Sequence, residues 1–144
     1  MRPILLVALL TTIPAIAGEL NGYYVSASSL GPTWRELCIS ASNKKNSVNV
    51  EIFTTYCPSV ECMNARMDGV SFTVPASSKI LSYVQGDCRI KARFRNGRAY
   101  VTQVGENCGD DQRRLRAEGV YERRDTRVQE GDCSPLTHKR DLAP

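Results

Sequence analysis

The chain has 144 residues, of which 42% are hydrophobic, and this length suits one domain with its own core rather than several. Nineteen Lys and Arg against 15 Asp and Glu give a formal charge of +4, which is too mild to single out a class of partner. The placement of the charge is more informative, because 11 of the 19 basic residues and only six acidic ones lie between Cys88 and Arg127.

The first 17 residues have the three parts of a secretory signal peptide. Arg2 supplies the positive start, residues 4–13 the apolar stretch, and Ala15-Ile16-Ala17 a small-x-small cleavage site. The apolar stretch is too short to cross a bilayer, which needs roughly 20 residues. We therefore expect cleavage after Ala17, no membrane span, and a periplasmic or secreted protein.

Short runs of strand-forming residues then alternate with turn signals. The predicted strands, in chain order, are residues 20–26, 48–56, 70–74, 79–85, 88–95, 98–102 and 115–124. Residues 33–40 fit either a strand or a short helical turn, with Trp34 toward a core. Residues 63–69 are predicted as a turn of helix ended by Asp68-Gly69.

The clearest local signal is Asn96-Gly97, which lies between two alternating segments. Asn-Gly suits the positive φ angles of a type I′ turn, so we predict a two-residue hairpin loop. That loop pairs Arg95 with Arg98, and Arg93 with Tyr100. The apolar side chains then share one face of the hairpin and the basic ones the other, as in a half-buried antiparallel sheet.

All six cysteines are expected to form disulfides, because an exported chain meets an oxidising compartment. In the hairpin register Cys88 lies opposite Gly105, so a bond to Cys108 would close the open end of the ribbon. The preferred pairs among the 15 possible sets are Cys57–Cys62, Cys88–Cys108 and, by elimination, Cys38–Cys133. Zinc is the alternative, but no C-x2-C pair is present, and we expect no metal and no cofactor.

These elements predict an all-β fold, a small antiparallel barrel or sandwich stabilised by disulfides. The similar segments LNGYY and GVYER, near the two ends, are candidates for the strands that close a barrel. The expected organisation is a signal peptide (1–17), an all-β domain (18–124) and a flexible C-terminal tail (125–144) that Cys133 tethers.

A basic face on the hairpin is the first candidate site. It comprises Arg89, Lys91, Arg93, Arg95, Arg98 and Tyr100, extended by Arg114 and Arg116 if the last strand packs beside it. Neighbouring like charges repel on a sheet, so a ligand could offset them. The face is therefore interpreted as an anion-binding surface for an acidic protein or an envelope polyanion. The alternative is a solvated face that only discourages aggregation.

Catalytic signals are weak. A glycan hydrolase would need a pair of carboxylates, for which Glu106, Asp110 and Asp111 are the candidates. The adjacent aspartates lack the spacing of a calcium site. His138 is the single histidine and lies in the tail, and oxidised cysteines are not nucleophiles. We expect that the protein is not an enzyme.

The C-terminal third of the domain resembles small exported bacterial disulfide-bonded β-domains of unknown function. The matching pieces are FRNGRAYVTQ, then CG, then EGVYERR. Some exported all-β disulfide domains of this size inhibit lysozyme. This chain is similar to them in size, export and class, and the similarity assigns no residue a role.

The expected function is that of an exported non-catalytic binding protein, with an inhibitor as one form of it. Two alternatives stay open: a cell-wall or glycan hydrolase, and an envelope structural protein without a specific ligand. Nucleic acid is not an expected partner.

Overall fold

Eight antiparallel strands follow one another along the described part of the chain and form one sheet. The computed structural model describes residues 19–26, 33–57, 66–106, 108–109, 115–126, 128 and 133. The strands are β1 (Gly22–Ser26), β2 (Thr33–Ala41), β3 (Ser47–Tyr56), β4 (Arg66–Pro75), β5 (Ile80–Gln85), β6 (Cys88–Arg95), β7 (Arg98–Val104) and β8 (Gly119–Asp125). The predicted all-β fold is confirmed.

The sheet curls into a nearly closed barrel. The first and last strands pair with each other, so the strand order is β4-β3-β2-β1-β8-β7-β6-β5. This is the pairing expected from LNGYY and GVYER. The sheet is open between its two edge strands, β4 and β5. There the rings of Phe72 and Tyr83, with centroids 4.9 Å apart, cover the gap.

Alternate side chains along each strand point inward and fill the barrel interior. Its largest fully buried side chains include Tyr24 and Tyr121, packed with Leu37, Ile39 and Ile90. Both tyrosine hydroxyls are satisfied by backbone carbonyls, because Tyr24 donates to Leu20 O at 3.0 Å and Tyr121 donates to Ala117 O at 2.6 Å. The interior is thus a packed core.

A second apolar cluster covers the outer face of β1 and β2. Tyr23, Val25 and Cys38 pack there against Val128 and Cys133. A disulfide joins Cys38 to Cys133, and Asn21 exchanges hydrogen bonds of 3.0 and 3.3 Å with the backbone of residue 128. Residues 128 and 133, beyond β8, are therefore fixed to the barrel. The remaining predicted tail and the predicted signal peptide lie outside the described residues.

Two sequence-based assignments in the first half of the chain differ from the structure. The helical turn predicted to end at Asp68-Gly69 is wrong over its described part, since β4 begins at Arg66 and pairs with β3 along its whole length. Gly69 belongs there because a Cβ would lie 2.5 Å from the ring of Phe53 on β3. Residues 33–40 form β2, where Trp34 is 37% exposed instead of turning toward the core.

Candidate functional site: the outer face of strands β5 to β8

The β6–β7 hairpin has the predicted register. Asn96 and Gly97 adopt positive φ angles of 52° and 72°, and Arg95 faces Arg98 across the turn. Arg93 likewise faces Tyr100. The buried and exposed residues alternate strictly at the start of β6, so the apolar side chains enter the core and the basic ones point outward.

Cys108 secures the base of this hairpin. It forms a disulfide with Cys88, with Cα atoms 5.1 Å apart. The chain turns toward Cys88 at Gly105, whose φ is 92° and where a Cβ would lie 2.4 Å from the carbonyl oxygen of Asp87. A residue with a side chain would obstruct this turn. Cys57 is also disulfide-bonded, and its predicted partner, Cys62, lies outside the described residues.

The predicted basic residues of β6 form one exposed row. Arg89, Lys91, Arg93 and Arg95 all point to solvent, and none of them makes an ion pair with another described residue. Beside the row, the guanidinium of Arg98 lies 3.2 Å from the carboxylate of Glu122 on β8. We call the outward side chains of β5–β8 the basic face.

Exposed apolar side chains flank this row on both sides. Among the described residues, seven large hydrophobic side chains are exposed, and five of them share this face: Ile80, Val84, Tyr100, Val104 and Val120. Arg93 lies between Ile80 and Tyr100 in the strand register, and Arg89 lies between Val84 and Val104. At these two positions the face therefore alternates cationic and apolar side chains across the strands.

The last strand adds different residues to the face from those expected. β8 begins at Gly119, so Arg116 precedes it, and Arg114 lies outside the described residues. Residues 115–117 do not form a ladder, because the side chain of Gln103 takes their backbone groups: its amide donates to Leu115 O at 2.7 Å and accepts from Ala117 N at 2.8 Å. Arg116 instead lies 3.8 Å from Glu118.

A cleft of about 500 Å³ opens at the tip of the hairpin, beside the basic face. Its walls are Glu19, Leu20, Tyr24, Lys79, Phe94, Arg95, Asn96, Gly97, Arg98 and Arg123. Two nitrogens of Arg123 donate to the Tyr24 hydroxyl, at 3.0 and 2.6 Å. Burial raises the pKa of Tyr24, although the neighbouring Arg123 opposes that shift.

The candidate catalytic carboxylates form no comparable cleft among the described residues. Glu106 borders a cavity of about 40 Å³ together with Gln103, Gly105, Leu115 and Arg116, which has room for no more than a few water molecules. Asp110, Asp111 and His138 lie outside the described residues. The described residues contain no group of three or more His, Cys, Asp or Glu side chains placed to bind a metal. They also contain no helix with the length and apolar character needed to cross a membrane.

Sequence reasoning included Tyr100 but missed the other apolar side chains of the face and most of the cleft. Alternation in residues 79–85 indicates which side chains share a face, and the pairing of β5 with β6 then puts Ile80 beside Arg93. Arg123 joins Lys79 only through closure of the barrel, which no local pattern encodes.

No protein-family model matches this chain, and no curated protein or solved structure matches it significantly.

Proposed function

We propose that this protein is an exported, non-catalytic binding protein that holds an acidic partner protein against its basic face. The observation that carries the proposal is the row of four basic side chains that make no ion pair with a described residue, with exposed apolar side chains on both sides of Arg89 and Arg93. A surface of this kind offers both charge and apolar area to one partner.

The charge on the row is better explained by a partner than by solubility alone. Alternate residues of a strand lie about 7 Å apart, so adjacent cations on β6 repel each other by roughly 0.6 kcal/mol even in water. The row from Arg89 to Arg95 has three such contacts, and no described acidic side chain pairs with it. Acidic groups of a partner would turn this repulsion into attraction and would speed encounter.

The apolar side chains favour a protein over a glycan or nucleic acid. Val84 is 63% exposed and Val104 is 66% exposed, on opposite sides of Arg89. A polyanion offers less apolar surface to cover them than a protein does, and a protein can cover both kinds of side chain together. Arg and Tyr are also enriched among the residues that dominate binding energy at protein interfaces.

The disulfides support a protein that folds in an oxidising compartment. Together with the signal-peptide pattern of residues 1–17, they support a periplasmic or secreted location. If the acidic partner is an enzyme, a rigid sheet face seated over its active site would make this protein an inhibitor.

A pair of charge-reversal variants with equal net charge tests the proposal. Lys91→Glu/Arg93→Glu alters the basic face, whereas Lys44→Glu/Lys45→Glu alters exposed residues of the β2–β3 turn. Wild type and both variants are coupled to resin and exposed to envelope extract, and proteins retained by the wild type and the turn variant alone are identified. Each candidate is then purified and its Kd is measured at several salt concentrations.

We expect an acidic protein whose Kd weakens at least tenfold with Lys91→Glu/Arg93→Glu and changes little with Lys44→Glu/Lys45→Glu. If polyphosphate displaces the bound ligand and the Kd weakens steeply as salt rises, as it does for a polyanion, the face would be assigned to a polyanion instead. If no ligand distinguishes the two variants, the face has no specific ligand and the protein is structural.

A further inference from the structure

The cleft at the tip of the β6–β7 hairpin has the composition of a small-molecule site. Its volume of about 500 Å³ falls within the range of such sites, roughly 300–1,000 Å³. We infer that it binds a phosphorylated sugar group, with the phosphate on its cations and the sugar ring on its apolar wall. This site goes beyond the proposed function, because most of its lining lies outside the basic face.

Arg123 is held in place before any ligand arrives. Its Nε and one terminal nitrogen donate to the Tyr24 hydroxyl, and that terminal nitrogen also donates to Glu19 O. Tyr24 is itself fixed by its bond to Leu20 O and is 1% exposed. The second terminal nitrogen of Arg123 has no such partner among the described residues, so it can donate to a ligand without loss of this network. A preorganised donor binds an anion at a smaller entropic cost.

The charge of the lining matches a dianion. Four cations and one carboxylate line the cleft, a net of +3, and the Glu122 carboxylate beside Arg98 lowers the effective charge toward +2. A single carboxylate would leave uncompensated cations. A phosphate monoester carries a charge of about −1.5 to −2 near pH 7 and offers several acceptor oxygens to guanidinium and ammonium donors.

The rest of the lining favours a ring attached to the phosphate. Leu20 and Tyr24 are buried, so the half-buried Phe94 supplies most of the apolar wall, and its ring meets that of Tyr24 edge to face at 5.7 Å. Sugar rings present C–H groups that pack on such walls, while their hydroxyls can bond to Asn96 and the turn backbone. Inorganic phosphate alone would leave most of the cleft filled with water.

Isothermal titration of the disulfide-bonded protein with glucose 6-phosphate, glucose and inorganic phosphate tests the site. We expect binding of glucose 6-phosphate, binding of phosphate that is at least about tenfold weaker, and no binding of glucose. Lys79→Gln removes an exposed cation that belongs to the cleft and not to the basic face, and should weaken glucose 6-phosphate about tenfold. Lys44→Gln, an exposed lysine outside the cleft, is the matched control and should change nothing.

Two results would overturn the inference: no binding of glucose 6-phosphate at millimolar concentration, or equal effects of Lys79→Gln and Lys44→Gln. The outcome is separable from that of the basic face. Lys91→Glu/Arg93→Glu should bind glucose 6-phosphate almost as wild type does, and Lys79→Gln should keep the affinity for the acidic partner.

Vesicles distinguish the source of the sugar. One set carries a glycolipid with a phosphorylated sugar headgroup, and the other carries phosphatidylglycerol at the same charge density. Binding to the first set alone, displaced by glucose 6-phosphate, assigns the ligand to a membrane glycolipid. Binding of the soluble sugar phosphate without vesicle binding assigns it to a free metabolite. Equal binding to both sets that glucose 6-phosphate does not displace would contradict a built site.

Discussion

Arg95 lies directly opposite Arg98 across the Asn96-Gly97 turn, so the hairpin tip places two guanidinium groups in register. On its other side Arg98 bonds to Glu122 at 3.2 Å, whereas Arg95 makes no ion pair with a described residue. Like charges in this position destabilise a sheet, so the tip retains a cation at a cost in stability. Arg95 lines the cleft and is the last cation of the row on β6, so its role in binding explains why the chain keeps this destabilising charge.

Arg95→Glu should therefore stabilise the fold while it weakens ligand binding. It replaces a repulsive cross-strand pair by an attractive one, which is worth roughly 0.2–1 kcal/mol. Urea unfolding measures the change. Lys44→Glu is the control, because Lys44 lies in the exposed β2–β3 turn, outside the strand register, and the gain should be smaller. A lower free energy of unfolding for folded Arg95→Glu would show that the tip repulsion is negligible.

The two described disulfides should differ in their contribution to stability. Cys88–Cys108 closes 20 residues and Cys38–Cys133 closes 95. Chain entropy then predicts losses of about 3.3 and about 4.7 kcal/mol when each pair is changed to alanine. Denaturant unfolding of Cys88→Ala/Cys108→Ala and Cys38→Ala/Cys133→Ala measures both. The reverse order would contradict this chain-entropy account.

Alkaline pH should unfold the protein. Burial raises the pKa of Tyr23, Tyr24 and Tyr121 above the ordinary value of 10.0, and for Tyr23 the hydrogen bond to Glu36 adds to the shift. The folded state then holds protons that the unfolded chain releases, so stability is complete below pH 10 and falls above it. Each such tyrosine lowers the free energy of unfolding by up to about 1.4 kcal/mol per pH unit above 10.

Tyrosinate absorbance and circular dichroism, followed together from neutral to alkaline pH, check this. Part of the absorbance change should coincide with loss of structure. Tyr121→Phe should make the alkaline transition less steep, although it also loses the hydrogen bond to Ala117 O, worth about 1 kcal/mol at neutral pH. Ionisation of all six tyrosines with the dichroism spectrum intact would contradict the burial of Tyr23, Tyr24 and Tyr121.

The hairpin could be predicted in detail because its information is local. Asn96-Gly97 sets the turn, and the alternation of Ile90, Ala92 and Phe94 with cations sets the phase, so one register satisfies both. The disulfide at its base follows from that register and from the positive φ of Gly105.

Elements that depend on distant partners were harder to predict. Asp68-Gly69 is a common helix-ending pair, yet Gly69 lies in β4. Glycine suits that position because the ring of Phe53 on the neighbouring strand occupies the space that a side chain would need. Residues 115–117 alternate like a strand, but the Gln103 amide takes the backbone groups that a ladder would use. In both places a tertiary contact overrides the local pattern.

In the candidate site, too, the features set by local sequence could be predicted and those set by distant contacts could not. The exposed cations of β6 could be read from the sequence, whereas the apolar side chains beside them depend on which strands become neighbours. Lys79 and Arg123 are 44 positions apart and meet only at the rim of the barrel.

The most direct test of the account is the Kd of the purified acidic partner for wild type, Lys91→Glu/Arg93→Glu and Lys44→Glu/Lys45→Glu at one ionic strength. The two variants carry the same net charge, so a difference between them reports the position of the charges. We predict that the basic-face variant binds at least about tenfold more weakly, while the turn variant stays within about twofold of wild type. Equal affinities for all three proteins would contradict the role of the basic face.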